Sequence, residues 1–352
     1  MKRFDYHRAA SPADAIAASA ADGAVVLGGG TNLLDLMKGN VVRPDRLVDV
    51  THLSGLDRIE TLPDGSTRIG ALVRNGDLAH DAAFARTYPA VAEALLSGAS
   101  AQLRNAATTG GNLLQRTRCP YFTDGVSACN KREPGSGCDA IGGETRLHAV
   151  LGWSDSCIAV QPSDFCVPLA ALGATVEIEG KAGARSVPLV EFHRLPGDEP
   201  WRETVLEAGD LVTAVVLPAD AAGFAGHSRY LKVRDRTSYA FAVVSAAAAL
   251  RLDGDRIADA RLAFGGVALK PWRSRKAEAV LVGQPATVET FRRAAEAAMA
   301  DAKPSGDNSY KIELARRIAV RAFTLALAGT PERVSALPAS PFSSPLGVAA
   351  HA

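Results

Sequence analysis

The sequence has no excess of charge of either sign and no long apolar run. It contains 39 Lys and Arg residues against 38 Asp and Glu residues, a net charge of +1. This balance gives no excess of basic residues of the kind that binds nucleic acid or an anionic membrane. The most continuous apolar run, from Tyr239 to Leu250, has 12 residues including Ser245, whereas a spanning helix needs about 20. The composition therefore predicts a globular protein without a nucleic-acid partner or a membrane span.

Cysteine is scarce, and the count of five is odd, so complete internal disulfide pairing is excluded. The first residues are basic but have no apolar stretch behind them, which predicts that this chain carries no secretory signal. With 352 residues, 47% of them hydrophobic, the chain is long enough to bury a core without disulfides. At about 150 residues per domain, this length predicts two or three domains.

Glycine is present in excess, and three of the glycines directly follow a short apolar strand. The strand Ala24 to Leu27 runs into Gly28-Gly29-Gly30, and Thr31-Asn32 then begin a helix. Glycine lets a backbone approach a phosphate closely, and a helix N-terminus favours negative charge. No GK[ST] follows, and Leu33 occupies the third glycine position of a dinucleotide motif. Taken alone, the pattern also fits a tight turn that binds nothing.

A second cluster, Thr108-Thr109-Gly110-Gly111-Asn112, lies about 80 residues further along the chain. Its hydroxyls, amide and flexible backbone suit phosphate binding, although a plain polar turn remains an alternative. Two such clusters fit one ligand with a diphosphate that lies between two subdomains.

These residues resemble the FAD-binding subunits of molybdenum hydroxylases, the xanthine and aldehyde oxidase family. The similarity covers roughly residues 3–327 and is carried by the motifs VLGGGTNL, IGA, QLRN, TTGGNL, SDF, YLKVRDR and NSYKIELARRIAVRAF. It implies an α+β fold, namely a two-subdomain FAD-binding fold of the vanillyl-alcohol-oxidase type followed by a C-terminal antiparallel sheet with helices. Asp253-Gly254 is expected at a hairpin turn of that sheet.

The resemblance also implies a division of the chain into four parts. Residues 1–55 form the first FAD-binding subdomain, and residues 56–220 form the second, with an insertion at about 116–161. Residues 221–330 form an α+β domain of the CO-dehydrogenase-flavoprotein type, and residues 331–352 are expected to be an extended tail.

FAD is the cofactor that the resemblance implies, held by residues from several segments. Asp164 is expected at the ribityl or diphosphate region and Lys232 near the flavin. From the residues alone, Asp164 is equally an N-cap and Lys232 a solvated strand residue. The remaining implied FAD contacts are Leu27, Gly28, Gly29, Gly30, Thr31, Asn32, Leu33, Leu34, Gly70, Ala71, Thr108, Thr109, Gly111 and Asn112.

Four cysteines lie in the irregular insertion at 116–161, which we call the cysteine loop: Cys119, Cys129, Cys138 and Cys157. None has the C-x₂-C spacing of common zinc or ferredoxin sites. Disulfides in an exported protein or unrelated buried thiols are alternatives. A loop with little apolar content would nonetheless gain order from a bound metal. Cys166 lies outside the loop on a predicted helix and is interpreted as a small core residue.

The resemblance narrows these alternatives. Most flavin subunits of the family lack the insertion, but those of periplasmic aldehyde oxidoreductases carry it and hold a [4Fe–4S] cluster through four cysteines. By that resemblance, Cys119, Cys129, Cys138 and Cys157 are the cluster ligands. Asn130, Lys131 and Arg132 would be polar neighbours that offset its negative charge, or else a solvated loop. His148 is interpreted as an ordinary histidine, although it could in principle replace a cysteine ligand.

The implied function is electron transfer within a heterotrimer, with no catalytic residue in this chain. A large molybdopterin subunit oxidises an aldehyde, and electrons pass through a small [2Fe–2S] subunit to FAD and then to an external acceptor. In the resembling subgroup a partner carries the export signal, which implies a periplasmic complex. Two other functions are a self-sufficient flavin oxidoreductase of the same fold and a non-enzymatic nucleotide- or zinc-binding scaffold.

Overall fold

The computed structural model describes residues 1–332, and these residues contain three β-sheets that follow one another along the chain. The predicted tail, residues 331–352, lies outside the described residues from residue 333 onward. In residues 1–332, no helix combines the length and apolar character needed to cross a membrane.

The first sheet is three-stranded and parallel, in the order β1-β3-β2. Ser11 caps helix α1 by accepting a hydrogen bond from the Asp14 N–H, as its position before a proline predicts. The first strand was not predicted, because its alternating polar residues carry no apolar pattern. The elements are β1 (Asp5–Arg8), α1 (Pro12–Ser19), β2 (Ala24–Leu27), α2 (Leu33–Lys38) and β3 (Arg46–Asp49).

The second sheet is antiparallel, with five strands in the order β4-β5-β8-β6-β7. Its strands are β4 (Ile59–Thr61), β5 (Thr67–Gly70), β6 (Thr175–Gly180), β7 (Gly183–Pro188) and β8 (Leu211–Leu217). Between β5 and β6 the chain forms short helices and the cysteine loop. The helices of this region are α3 (Asn75–His80), α4 (Ala82–Thr87), α5 (Pro89–Ser97), α6 (Ala101–Ala106), α7 (Thr109–Leu113), α8 (Pro120–Thr123) and α9 (Cys166–Leu172). Helix α10 (Leu189–Phe192) follows β7.

The third sheet is antiparallel in the order β12-β11-β10-β9, and a 3₁₀ helix (Ala219–His227) precedes it. The predicted hairpin lies between β10 and β11, where Gly254 has φ of 60°. The segment 234–243 is irregular. The elements are β9 (Ser228–Val233), β10 (Val244–Asp253), β11 (Arg256–Gly265), β12 (Trp272–Arg273), α11 (Arg275–Leu281), α12 (Val288–Ala298) and α13 (Tyr310–Leu327).

The third sheet packs against α13 and α11, and α12 packs on both of these helices. Phe291 of α12 and Phe323 of α13 stack with ring centroids 5.3 Å apart. Strand β9 of the third sheet packs on helix α5 of the preceding region through the buried Glu93. The Glu93 carboxylate accepts hydrogen bonds from Arg229 Nε at 2.9 Å and from the Tyr230 N–H at 2.7 Å. Burial raises the pKa of Glu93, although the charge of Arg229 opposes this rise. The contact between α5 and β9 therefore depends on a carboxylate that is removed from water.

Candidate functional site

The two glycine turns meet in space, although about 80 residues separate them. A Cβ atom at Gly29 would overlap the carbonyl oxygen of Ala106, and one at Gly28 would lie 3.0 Å from Thr108 Oγ1. Gly111 in the second turn would likewise place a Cβ 3.0 Å from Thr108 Oγ1. At Gly29 the two backbones touch, so a side chain there would force the turns apart. At Gly28 and Gly111 a side chain would instead press against the Thr108 hydroxyl.

The second turn is held in place by strand β5. The Gly110 N–H donates to the Ala71 carbonyl at 2.9 Å, and Thr109 Oγ1 donates to the Gly70 carbonyl at 2.7 Å. Thr108 Oγ1 caps helix α7 by accepting from the Gly111 N–H. The end of strand β5 thus supports one side of the turn, through Gly70, Ala71 and the buried Thr109. Asn112 lies on the opposite side of the turn.

The first turn forms the opposite wall. Residues 24–34 are all half-buried although most are apolar, so this wall borders open space and is not packed as core. Gly30 has φ of 71°, a left-handed conformation that turns the chain into α2. Asn32 Oδ1 accepts the Arg116 N–H at 2.9 Å and so fastens this wall to the start of the cysteine loop. We call residues 27–34 together with 107–112 the glycine cradle.

Asp164 and Lys232 form a buried ion pair at 2.7 Å beside the cradle. Lys232 Nζ also donates to the Ser97 carbonyl at 3.2 Å, and Tyr230 Oη donates to Asp164 Oδ1 at 2.5 Å. Burial, followed by the charge of Asp164, raises the pKa of Tyr230 well above 10. Both bland interpretations of these residues are wrong: the Lys232 side chain is only 4% exposed, and Asp164 does not cap α9, whose N-cap is Phe165.

Ser163 joins this network to the cradle, because Ser163 Oγ donates to Asn112 Oδ1 at 2.7 Å. The predicted FAD residues thus lie in one contiguous region formed by both turns, the start of α9 and strand β9. A cleft with two backbone walls and one polar side suits a ligand with a diphosphate and a polar ring system.

The four predicted cluster ligands converge within the cysteine loop. Cys129 and Cys138 face each other across an antiparallel bridge, and no disulfide joins any cysteine in residues 1–332. Cys119 packs against the apolar group of Cys129 and Phe122, and also against that of Cys157. Cys166 is fully buried in the main core, as its interpretation as a packing residue predicts. The four cysteines of the loop and the single Cys166 therefore lie in two different parts of the structure, the cysteine loop and the main core.

Burial raises the pKa of the Cys119 thiol to about 12 and of the Cys157 thiol to about 11. The neighbouring cysteines raise both values further, because thiolates repel one another. Backbone hydrogen bonds from Phe122 and Tyr121 oppose the rise at Cys119, and the charge of Lys131 opposes it at Cys157. Thiols placed like this are stable as thiolates only beside a cation or a bound metal.

A charge triad lies next to Cys157, in which Lys131 is buried and Arg116 and Glu203 are half-buried. Lys131 Nζ donates to the Pro200 carbonyl at 2.8 Å and lies 3.5 Å from Glu203 Oε1, while Arg116 Nε donates to Glu203 at 2.7 Å. Burial raises the pKa of Glu203, but Lys131 and Arg116 outweigh it and lower the value. Two cations and one carboxylate leave a net charge of +1 beside the sulfurs. Sequence reasoning identified Lys131 but missed Arg116 and Glu203, which no local pattern marks.

Asn130 and Arg132 shape the loop instead of facing solvent. Asn130 Oδ1 accepts the Gly137 N–H at 2.9 Å, and Arg132 donates to the carbonyls of Phe122 and Ser127. His148 was interpreted as an ordinary histidine, yet its Nε2 lies 3.2 Å from Cys119 Sγ. Burial and then Lys311 lower the pKa of His148, so the imidazole is neutral at pH 7.

No group of three or more His, Cys, Asp or Glu side chains in residues 1–332 is arranged to hold a single metal ion. A zinc site requires four ligands at about 2.3 Å from one atom, which brings the sulfurs close together. A [4Fe–4S] cluster takes one thiolate on each of four irons, so its ligands stand farther apart around a larger volume. The four free thiols of the cysteine loop converge without the single-ion geometry of a zinc site.

Comparison with known proteins agrees with this geometry. Residues 2–220 match the FAD-binding domain in molybdopterin dehydrogenase, and residues 229–326 match the CO dehydrogenase flavoprotein C-terminal domain. The chain therefore belongs to the FAD-binding subunits of the molybdenum hydroxylase family, which confirms the predicted family, the α+β fold with its C-terminal antiparallel sheet, and the assignment to an oxidoreductase complex.

Among individual proteins, the chain is 50% identical over 322 residues to the aldehyde oxidoreductase FAD-binding subunit PaoB of Escherichia coli (strain K12), covering 90% of this chain and 96% of that protein. It is 27% identical to the carbon monoxide dehydrogenase medium chain of Hydrogenophaga pseudoflava, covering 93% and 98% of the two chains. The crystal structure of quinoline 2-oxidoreductase from Pseudomonas putida 86 superposes with a TM-score of 0.71 at 28% identity, covering 93% of this chain and 99% of that one.

Proposed function

We propose that this chain is the FAD-binding electron-transfer subunit of a heteromeric molybdenum-dependent aldehyde oxidoreductase and that it also binds a [4Fe–4S] cluster. The observation that carries the substrate class is the 50% identity, over 90% of the chain, to an aldehyde oxidoreductase FAD-binding subunit. The family model and the glycine cradle support FAD binding. When bound, FAD supplies redox chemistry in which electrons are accepted singly and released one or two at a time.

The residues of the chain bind and orient the flavin and supply no general acid or base. The backbone N–H groups of Gly28 to Asn32 would hold the diphosphate from one side, and the side-chain amide of Asn112 would meet it from the other. The N–H groups of Gly111 and Asn112 already donate to Thr108, so they hold the second turn in shape. The Asp164–Lys232 pair would lie beside the ribityl and ring portion, with its charges neutralised by each other. Because the Thr109 hydroxyl donates its hydrogen bond to the Gly70 carbonyl, the role of Thr109 in this proposal is to position the second turn.

Three observations support a cluster at Cys119, Cys129, Cys138 and Cys157: the free thiols converge, the charge triad is positive, and the loop has almost no regular structure. The four cysteines would provide the ligands, and Lys131 would offset part of the negative charge. Arg132 and Asn130 hold the loop backbone around them.

The proposed partners are a small [2Fe–2S] subunit and a large molybdopterin-binding subunit, with an external electron acceptor. Purification of the complex from the native cell tests the whole proposal. We expect flavin absorbance together with about four irons per flavin beyond those of the small subunit. Turnover of an aldehyde by this subunit alone would contradict the proposal. Cell fractionation tests the periplasmic location, which stays a prediction from the resemblance.

The cluster assignment has a matched pair of variants. Cys129→Ser should remove about four irons per complex, because serine is a poor ligand for iron in this charge environment. Cys166→Ser changes a cysteine that is buried in the core, so its iron content should equal that of the wild type. Equal iron in Cys129→Ser and the wild type would contradict the assignment while leaving FAD binding intact.

A further inference from the structure

His148 closes one side of the cysteine site. The residue is 4% exposed, and its Nε2 lies 3.2 Å from Cys119 Sγ. Its other ring nitrogen, Nδ1, is buried and has no hydrogen-bond partner in the part of the chain that the structure describes. Because most buried polar atoms are paired, an imidazole that forgoes one partner and faces a sulfur with the other nitrogen requires an explanation.

The position of the imidazole is set by the C-terminal domain. The His148 carbonyl accepts hydrogen bonds from Asn308 Nδ2 at 3.0 Å and from Lys311 Nζ at 2.8 Å. Both donors are completely buried and lie at the start of α13 or just before it. Lys311 Nζ also donates to the Leu147 and Gly266 carbonyls, so a desolvated ammonium group fixes this part of the loop. The backbone on which the ring is mounted therefore has little freedom to turn it away from Cys119.

The chemistry of the sulfur decides which nitrogen carries the proton. A cysteine that ligates iron is a thiolate, which accepts hydrogen bonds and cannot donate them. His148 Nε2 lies 3.2 Å from this sulfur and must therefore carry a proton in order to form a hydrogen bond with it. In the Nε2–H tautomer, Nδ1 has a lone pair and no proton. That tautomer leaves only an acceptor unpaired, which agrees with the environment of Nδ1.

We propose that His148 is a positioning residue that donates an Nε2–H···S hydrogen bond to Cys119 and thereby raises the reduction potential of the cluster. This inference rests on the cluster in the proposed function. One-electron reduction adds one negative charge that is shared with the sulfur ligands, and no proton is transferred, so His148 keeps its proton throughout. A hydrogen bond to sulfur stabilises the more negative state more strongly, which is one of the known determinants of iron–sulfur potentials.

The test compares His148→Phe with His148→Gln in the purified complex, by potentiometric titration with a chemical reductant monitored by electron paramagnetic resonance. Phe retains bulk but has no donor, and we expect the equilibrium constant for reduction to fall about tenfold, or ~59 mV for one electron. Gln places an N–H group near the position of Nε2 and should restore most of the potential. His227→Gln is the matched control, because the ring of His227 bonds the Ala326 carbonyl instead.

Equal potentials in His148→Phe and the wild type, with iron content unchanged, would overturn the inference. If His148→Phe fails to load iron, the hydrogen bond is tested instead in the wild-type complex labelled with ¹⁵N-histidine, by measuring magnetic couplings to the reduced cluster. We expect a weak nitrogen coupling and an exchangeable proton coupling to the reduced cluster. A coupling as strong as that of a nitrogen bound to iron would overturn the hydrogen bond in favour of ligation, and the absence of both couplings would overturn it as well. A wild-type complex without the four additional irons would overturn this inference together with the cluster assignment.

Discussion

The glycine cradle and the cysteine loop lie side by side but are stabilised in different ways. The cradle is held by backbone: its turns touch at Gly29 and Ala106, and strand β5 fixes the second turn through main-chain hydrogen bonds. The loop has a single helical turn, α8, and its shape depends on side chains such as Arg132 and Asn130 that donate to or accept from its backbone. We infer that the cradle keeps its shape without a ligand, whereas the loop relies on one for part of its stability.

The largest effect should come from removing the loop's ligand set. In Cys129→Ser we expect the loop to open, because the three remaining thiols without a metal leave only side-chain-to-backbone contacts to order it. Limited proteolysis should then cut within residues 116–161, while FAD content stays near that of the wild type. Cys166→Ser is the control and should be resistant. Loss of FAD together with iron would show that the two regions are not independent.

The second prediction concerns the buried pair beside the cradle. Lys232→Met leaves the Asp164 carboxylate buried without its cation, and the free energy of unfolding should fall by about 3–5 kcal/mol. The control is Lys276→Met, whose partner Asp301 is largely exposed, and its effect should stay below about 1 kcal/mol. Thermal unfolding of the FAD-free proteins measures both. Equal melting temperatures would mean that the pair does not stabilise this region.

The third prediction disturbs the cradle directly. Gly29→Ala introduces a methyl group against the Ala106 carbonyl, and backbone on both sides leaves no side chain to move aside. An overpacking cost of about 3 kcal/mol corresponds to FAD binding weakened about 100-fold. Gly226→Ala, where the added Cβ meets nothing within 4 Å, should bind FAD normally. Normal FAD content in Gly29→Ala would contradict a preformed cradle; iron content should not change in either variant.

The smallest effect is a pH dependence in the cradle region. His193 is buried with Nε2 donating to the Leu113 carbonyl at 2.9 Å, and burial lowers its pKa from 6.5 to about 4. Below pH 6.5 the unfolded chain therefore binds a proton that the folded chain does not bind. Stability should fall by about 1.4 kcal/mol per pH unit between pH 6.5 and 4 from this residue alone.

Denaturant unfolding of the wild type and His193→Gln between pH 8 and pH 4.5 measures that contribution. The difference in unfolding free energy between the two proteins should be constant above pH 7 and should then shift in favour of the variant as the pH falls. A constant difference across the whole range would show that His193 titrates normally in the folded chain.

Much of the secondary structure near the site follows from local patterns. Strand Ala24–Leu27 occupies its predicted residues, because it is a short apolar run bounded by turn residues. Strand β1 was missed because DYHR has no such pattern, and it exists because β3 offers it a parallel partner. Pairing with a distant strand overrides local propensity in such cases.

The sequence by itself determined where the backbone carries no side chain, at the glycines, and where thiol groups are present, at the cysteines. The glycines of the two turns and the division of five cysteines into four and one are local facts. Together with motifs such as QLRN, SDF and YLKVRDR, they were sufficient to indicate the family. Only the tertiary structure decided which groups meet: Asp164 with Lys232, 68 residues away; Arg116 with Glu203, 87 residues away; and His148 with Cys119. These contacts depend on burial, because desolvation makes an unpaired polar group costly and selects partners regardless of their separation in the chain.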